Sequence, residues 1–465
     1  MKIKLMLVAG LWSFTSSSFA LDLVETYERA KLNDPTWQAN QQQFEADQLN
    51  LGLATGALLP TVTLSGNITR NRQTVKRSNF PGVDQEGLSD ALVSNTSTTK
   101  QATLSARQPL FRMDAWEGYK QVKTSVALSE ITLRLQKQDH VLNVAEAYFN
   151  VLRQQALTAA YLQEEKALLE QLNMMSAKLK EGLVARSDVS EANAQYQNAR
   201  ANRIATNVQL LLAQEQLSEY IGPYQDKLAV LRSDFIFQKP YPAQLDEWLG
   251  LAQQQNLKIQ QARLQKRYAE DQRRVEKAAL YPQIDAVASY GYTKQTPETL
   301  ISTDGKFDQV GVEMNWNLFN GGRTRTSIKK ASVELNKAQA QLDAAIRRAN
   351  VDVKSAFMQV DTDRAKLEAR KAAMDSSALV SQASKASYNE GLKSMVDVLL
   401  AQRNAFSAKQ DYLNAQYDYL LNVLRLKAAV GQLGEKDLVE LNSWLTYQSL
   451  YTTNFTEPLS YQGSA

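Results

Sequence analysis

Few side chains in this sequence are equipped for covalent chemistry. Its 465 residues include no cysteine, which excludes disulfides, thiol catalysis, iron–sulfur clusters and a lipidated N-terminal cysteine. The single histidine, His140, lies in the polar helical stretch KQDHVLN. A metal ligand needs partners, so His140 reads as a solvated surface residue. There is no G-x-S-x-G and no phosphate loop, and Gly321-Gly322 is not followed by GK[ST], so it supplies a turn. Carboxylates are scattered along helical stretches. Neither an enzyme nor a resident metal or cofactor is expected. What remains is a pair of aspartates in repeated surroundings, Asp188 and Asp397. Such groups can exchange hydrogen bonds and ion pairs or concentrate negative charge. By spacing alone each reads as a solvated helix residue.

The elements that carry these residues are duplicated. Residues 181–222 superimpose on 390–431 without gaps at a fixed offset of 209: Glu181-Gly182-Leu183 meets Glu390-Gly391-Leu392, Asp188-Val189 meets Asp397-Val398, and Gly222 meets Gly431. Val396, Leu399, Arg403, Phe406, Gln410, Leu413, Tyr417, Leu420 and Leu424 alternate at spacings of three and four, a coiled-coil seam with two polar insertions.

Residues 1–20 read as a signal peptide: Lys2 and Lys4, an apolar Leu5–Trp12, and a small-x-small site at Ser18-Phe19-Ala20. No later stretch is apolar enough for a spanning helix, so only a closed barrel would let the chain cross a membrane. The first repeat occupies 21–222. It begins with one helix from Leu21 to about Leu59, stopped at Pro60, followed by alternating strands of about ten residues at Thr61–Ile68 and Gln101–Phe111. Arg70–Lys100, polar and containing Pro81-Gly82, reads as a long loop between them. Arg112–Lys180 is one helix about 100 Å long, and a shorter helix returns to Gly222. Residues 223–242, with three prolines, form a connector. The second repeat, 243–431, follows the same plan: a helix from about Pro242 to Leu280, alternating runs at Ile284–Thr293 and Gln309–Leu318, a long helix and a returning helix. Residues 432–465 have no repeat partner. The charged fraction is 22% with a net charge of +4, a balance that points to no particular partner, nucleic acid included.

Each repeat thus supplies two strands with one apolar and one small-polar face. Alternation alone fits an amphipathic hairpin on a soluble core as well as a membrane barrel. Flanking helices of about 100 Å leave no evident soluble core for the strands to cover, and four strands cannot close a barrel, so several chains would have to contribute. Tyr290, Tyr292, Trp316, Phe319 and Phe111 fall where an interfacial aromatic belt would sit.

This plan, the paired E-G-L turns, the two D-V positions, the N-terminal DLVETYERAKLNDP and the phrase YDYLLNVLRLKAAVGQL resemble the TolC family of outer-membrane channel proteins over essentially the whole mature chain. The resemblance implies a mainly α fold with membrane β: a homotrimer with four strands per protomer in a twelve-stranded barrel in outer-membrane lipid. A periplasmic tunnel of helices would hang below, with 223–242 and 432–452 as a belt. It implies an exit duct for proteins or small toxic molecules, working with a periplasmic adaptor and an inner-membrane ABC or proton-driven transporter, and opened by untwisting of the periplasmic helices. Carried over by position, Asp188, Tyr388 and Lys393 correspond to the latch that closes the tunnel. Asp397 corresponds to a ring at the pore constriction. Gly182, Leu183, Val184, Gly391, Leu392 and Ser394 form the helix tips that an adaptor would grip. Lys393 stands where the family commonly has arginine, and loses its bidentate fork. Leu400 replaces a second aspartate ring, which implies weaker block by multivalent cations. The competing reading is a soluble periplasmic coiled-coil adaptor or spacer, which would have no use for four alternating strands.

Overall fold

The computed structural model describes residues 21–76, 92–232, 240–297 and 303–446; the expected signal peptide lies outside them. The chain divides into two compact units. One comprises residues up to Gln42, Leu133–Gln260 and those from Ala345; the other comprises Gln43–Thr132 and Gln261–Ala344.

The element order recurs nearly residue for residue. The first half runs α1 (Leu23–Asn33), α2 (Pro35–Gly56), β1 (Thr61–Lys76), β2 (Leu92–Phe111), α3 (Met113–Lys180) and α4 (Arg186–Ile221). After the two-residue β3 (Val230–Leu231), the second half runs α5 (Leu245–Gln255), α6 (Leu257–Ala278), β4 (Gln283–Pro297), β5 (Thr303–Asn315), α7 (Arg323–Asn389) and α8 (Met395–Val430). Paired helices have matching lengths: 11 residues in α1 and α5, 22 in α2 and α6, 36 in α4 and α8. A short α9 (Glu435–Asn442) and β6 (Leu445–Thr446) follow, and β6 pairs antiparallel with β3.

The first helix of each half is two helices, not one. In α1–α2 the break falls at Asp34, which is extended (ψ 111°) because the ring of Pro35 disfavours helical backbone before it. Pro35 then opens α2, where a missing N–H costs nothing. In α5–α6 the break falls at Asn256, also extended (ψ 119°), with no proline. Instead Asn256 Oδ1 accepts from the Ile259 N–H, and its Nδ2 donates to the Ala429 carbonyl. Gly431, in the left-handed region (φ 89°), packs so closely on this break that a Cβ would collide with the Gln255 carbonyl.

His140 departs from its surface assignment. It is 6% exposed, with its ring stacked at 5.4 Å on Trp37 and 5.5 Å from Tyr27. Its Nε2 is 3.2 Å from Asp34 Oδ2, while the Thr36 N–H donates to Asp34 Oδ1. Burial pushes the imidazole below its ordinary value of 6.5, with Asp34 opposing that shift.

The first unit holds three apolar clusters. The largest joins α1, α3, α4 and α8 through Tyr27, Phe149, Leu217, Leu420 and Leu424. The coiled-coil seam holds at Leu399, Tyr417, Leu420 and Leu424 but fails at its start. There Val396 is exposed while Met395 and Val398 are buried, because the helix begins only at Met395; Arg403 is exposed as well.

In the second unit the strands form one antiparallel sheet in the order β1-β2-β4-β5. They are 16, 20, 15 and 13 residues long, not about ten. Much of the expected loop is ladder: Arg70–Lys76 pairs with Thr98–Leu92. Threonine suits strands and can continue them where no apolar face is required. Val62, Leu64, Ile68, Val310 and Val312 are 67–84% exposed and share one face with Leu104, Tyr290 and Met314. The opposite face carries Thr63, Ser65, Thr103, Ser105, Ser289 and Gln309. There Arg107 bridges Asp285 and Glu313 at 2.8 Å each. β5 ends at Asn315, so Trp316 lies past the ladder, its indole N–H donating to the Leu280 carbonyl.

Candidate functional site: the paired helical turns

The turns after α3 and α7 are built alike. Gly182 (φ 73°) and Gly391 (φ 75°) take left-handed backbone. The Leu183 N–H donates to the Lys178 carbonyl and the Gly182 N–H to Leu179; Leu392 donates to Ser387 and Gly391 to Tyr388. This is the Schellman arrangement, which satisfies the last carbonyls of each long helix. It throws Leu183 and Leu392 outward, 72% and 79% exposed, while Val184 packs into the cluster of Met175, Met395, Val398 and Leu399.

Asp188 and Asp397 hold equivalent positions, three residues after the cap residues Ala185 and Ser394 that precede α4 and α8. The Asp188 carboxylate accepts from the Ala185 N–H at 3.2 Å. Asp397 Oδ2 accepts from the Ser394 N–H (3.0 Å) and hydroxyl (2.6 Å), and the Asp397 N–H returns a bond to Ser394 Oγ. The second turn is a full reciprocal capping box. The first lacks the hydroxyl because alanine occupies the cap. The Ser394 bonds, with Lys393 nearby, hold the Asp397 carboxyl below the usual range.

Tyr388 and Lys393 sit beside these caps without touching the aspartates. Tyr388 Oη accepts from Lys178 Nζ at 3.2 Å, and that ammonium lies 4.6 Å from the ring centre. Lys393 Nζ donates to the buried Ser384 hydroxyl at 3.0 Å. Within one chain, then, Asp188, Tyr388 and Lys393 each have a separate local partner. Lys178 and Ser384 escaped the sequence reading because helical spacing does not show which face of α3 or α7 meets the turn. No group of three or more residues suited to a metal occurs among the described residues.

A duplicated set of helical hairpins and, among the described residues, a sheet with a largely exposed apolar face and two open edges are the parts of a channel subunit whose strands lie in a membrane. No helix among the described residues is long and apolar enough to cross a membrane. A sequence profile described as outer membrane efflux protein matches residues 26–223 and 248–432. The chain belongs to this family. It is similar to the outer membrane protein TolC of Escherichia coli (29% identity, 94% of this chain and 87% of TolC) and to the alkaline protease secretion protein AprF of Pseudomonas aeruginosa (28% identity, 92% and 88%). The fold is that of the outer membrane channel MtrE of Neisseria gonorrhoeae, with a TM-score of 0.73 over 90% of this chain and 91% of that one at 18% identity. The protein is an outer-membrane exit channel, and the soluble-adaptor reading is set aside.

Proposed function

We propose that the protein acts as a homotrimer that takes cargo from an inner-membrane ABC or proton-driven transporter and a periplasmic adaptor and releases it outside the cell, transporting without catalysing. The observation that carries this reading is the sheet order β1-β2-β4-β5. Its outer strands are open edges, and unpaired backbone groups are not tolerated in lipid. Three copies joining β1 of one to β5 of the next close a twelve-stranded barrel, within the range of known membrane barrels. In this reading residues 21–222 and 243–431 are the two repeats, each giving helices to the tunnel and two strands to the barrel, with 223–242 and 432–465 as belt and tail, of which 233–239 and 447–465 lie outside the described residues.

Asp188, Tyr388 and Lys393 form the latch that closes the tunnel. Asp397 forms the ring at the constriction. Gly182, Leu183, Val184, Gly391, Leu392 and Ser394 present the tips to the adaptor; the exposure of Leu183 and Leu392 supports this, since it leaves two equivalent apolar side chains facing solvent. The family's description as an efflux protein and the name of AprF, a protease secretion protein, support both efflux and protein secretion as cargo routes. Light scattering of detergent-purified full-length protein tests the assembly: a mass of three chains is expected, and a water-soluble monomer would overturn it.

A further inference from the structure

The outward face of the sheet carries an unexplained row of cations. Lys100 of β2 and Lys294 of β4 stand directly opposite each other in the ladder. Like charges so placed repel. Both strands are central, so the familiar use of lysine to protect an exposed edge does not apply. The row continues with Ile68 on one side and Asp304 on the other. Lys306 lies one row below and Arg70 one row above on the same face. Asp304 accepts a bond from Tyr292 Oη at 3.2 Å, and none of Lys100, Lys294 and Lys306 forms an ion pair among the described residues. Among the residues whose side chains are described, five cations on this face (Arg70, Arg72, Lys100, Lys294, Lys306) meet two carboxylates, Asp304 and Asp308.

The height of the row is informative. From Ile284, opposite Met314, to Lys294 the strand advances about 34 Å. At a tilt of about 40° that is about 26 Å along a barrel axis, the height of the apolar band of a membrane barrel. Tyr290 and Tyr292 lie just beneath the lysines on this face, as interfacial aromatics do. The row therefore stands at headgroup level. It lies at the loop end of the strands, away from the ends joined to the helices, which is the outer leaflet.

We propose that Lys100 and Lys294, with Arg70 and Lys306, form a docking site for phosphate-bearing lipid headgroups of the outer leaflet, which neutralise the cross-strand repulsion and fix the barrel's height. The proposal rests on the barrel reading above. The test uses full-length protein in phosphatidylcholine vesicles containing spin-labelled phosphatidylglycerol or spin-labelled phosphatidylcholine, measuring the motionally restricted fraction of each. Wild type is expected to prefer the anionic label, and Lys100→Gln with Lys294→Gln to weaken that preference about fivefold per charge. Lys371→Gln with Lys385→Gln, on α7, is the charge-matched control and is expected to leave it unchanged. Added inorganic phosphate is expected to leave the wild-type preference in place; its loss would mark a site for free phosphate and overturn the lipid assignment. Channels that conduct but show no preference, or an equal loss in the control, would overturn this proposal alone. Failure to insert would overturn the barrel reading instead.

Discussion

Lys178 Nζ donates to Tyr388 Oη at 3.2 Å while lying 4.6 Å from the centre of the same ring, so one ammonium ties the end of α3 to the end of α7 in two ways. The tie sits one turn before both Schellman turns, where the long helices would have to part for the tunnel to open. Tyr388→Phe removes the hydrogen bond and keeps the cation–π contact. A net bond of about 1 kcal/mol predicts a rise of about fivefold in the open-to-closed ratio of single channels, and Lys178→Ala, which removes both contacts, a larger one. Unchanged gating in both variants would place the closing contact elsewhere.

Asp397 is exposed and its carboxyl is held below the usual range by Ser394. A depressed carboxylate contributes above its ordinary pKa and loses that contribution only as pH falls through the lowered value. Block of the pore by a multivalent cation should therefore persist at about pH 5 and fade only below the ordinary value of 3.8. Asp397→Asn should raise the blocking concentration by about tenfold. Leu400 lies one turn further along the same helix face and is exposed, so Leu400→Asp should tighten the block. Conductance titrations read all three.

The two capping turns predict unequal costs for glycine substitution. At Gly391 nothing lies within 4 Å of an added Cβ, so Gly391→Ala meets only left-handed strain, about 1–2 kcal/mol. At Gly431 the same change also meets the Gln255 carbonyl. Gly431→Ala should lower the melting temperature clearly more than Gly391→Ala.

Sequence reading recovered the duplication because glycines with left-handed backbone must recur where helices turn, and Gly182/Gly391 and Gly222/Gly431 do so at one offset. It missed the break at Asp34 because the run on either side is helical and Pro35 is a comfortable first residue of a new helix. It missed the break at Asn256 because that break depends on a long-range bond to Ala429. The strands were shortened because Thr, Ser and Asn mark loops in the absence of an apolar partner, yet beyond the lipid band a strand needs none. The seam reading of α8 failed at Val396 for a local reason: one residue past the helix start, the cap rather than the heptad sets direction.

His140 shows the same limit: its polar neighbours in sequence lie on other faces of α3, and its own face meets Tyr27, Trp37 and Tyr220. Of the charged groups facing it, Asp34 favours its protonation and Lys31 opposes it, and burial dominates. A histidine buried neutral is disfavoured in its charged form, so stability is full above about 6.5 and falls as pH drops from there toward the lowered folded value. The melting temperature of wild type should fall more steeply between about pH 7 and about pH 5 than that of His140→Phe; parallel curves would contradict this.

The most direct test of the channel and its closure is single-channel conductance of detergent-purified protein in planar bilayers, with Asp188→Ala and Lys393→Ala beside wild type. A small wild-type conductance that rises sharply in either variant is predicted, because each removes one side of the closing contact. Variants that conduct no better than wild type would contradict the latch, and a preparation that forms no channels would contradict the exit-duct reading itself.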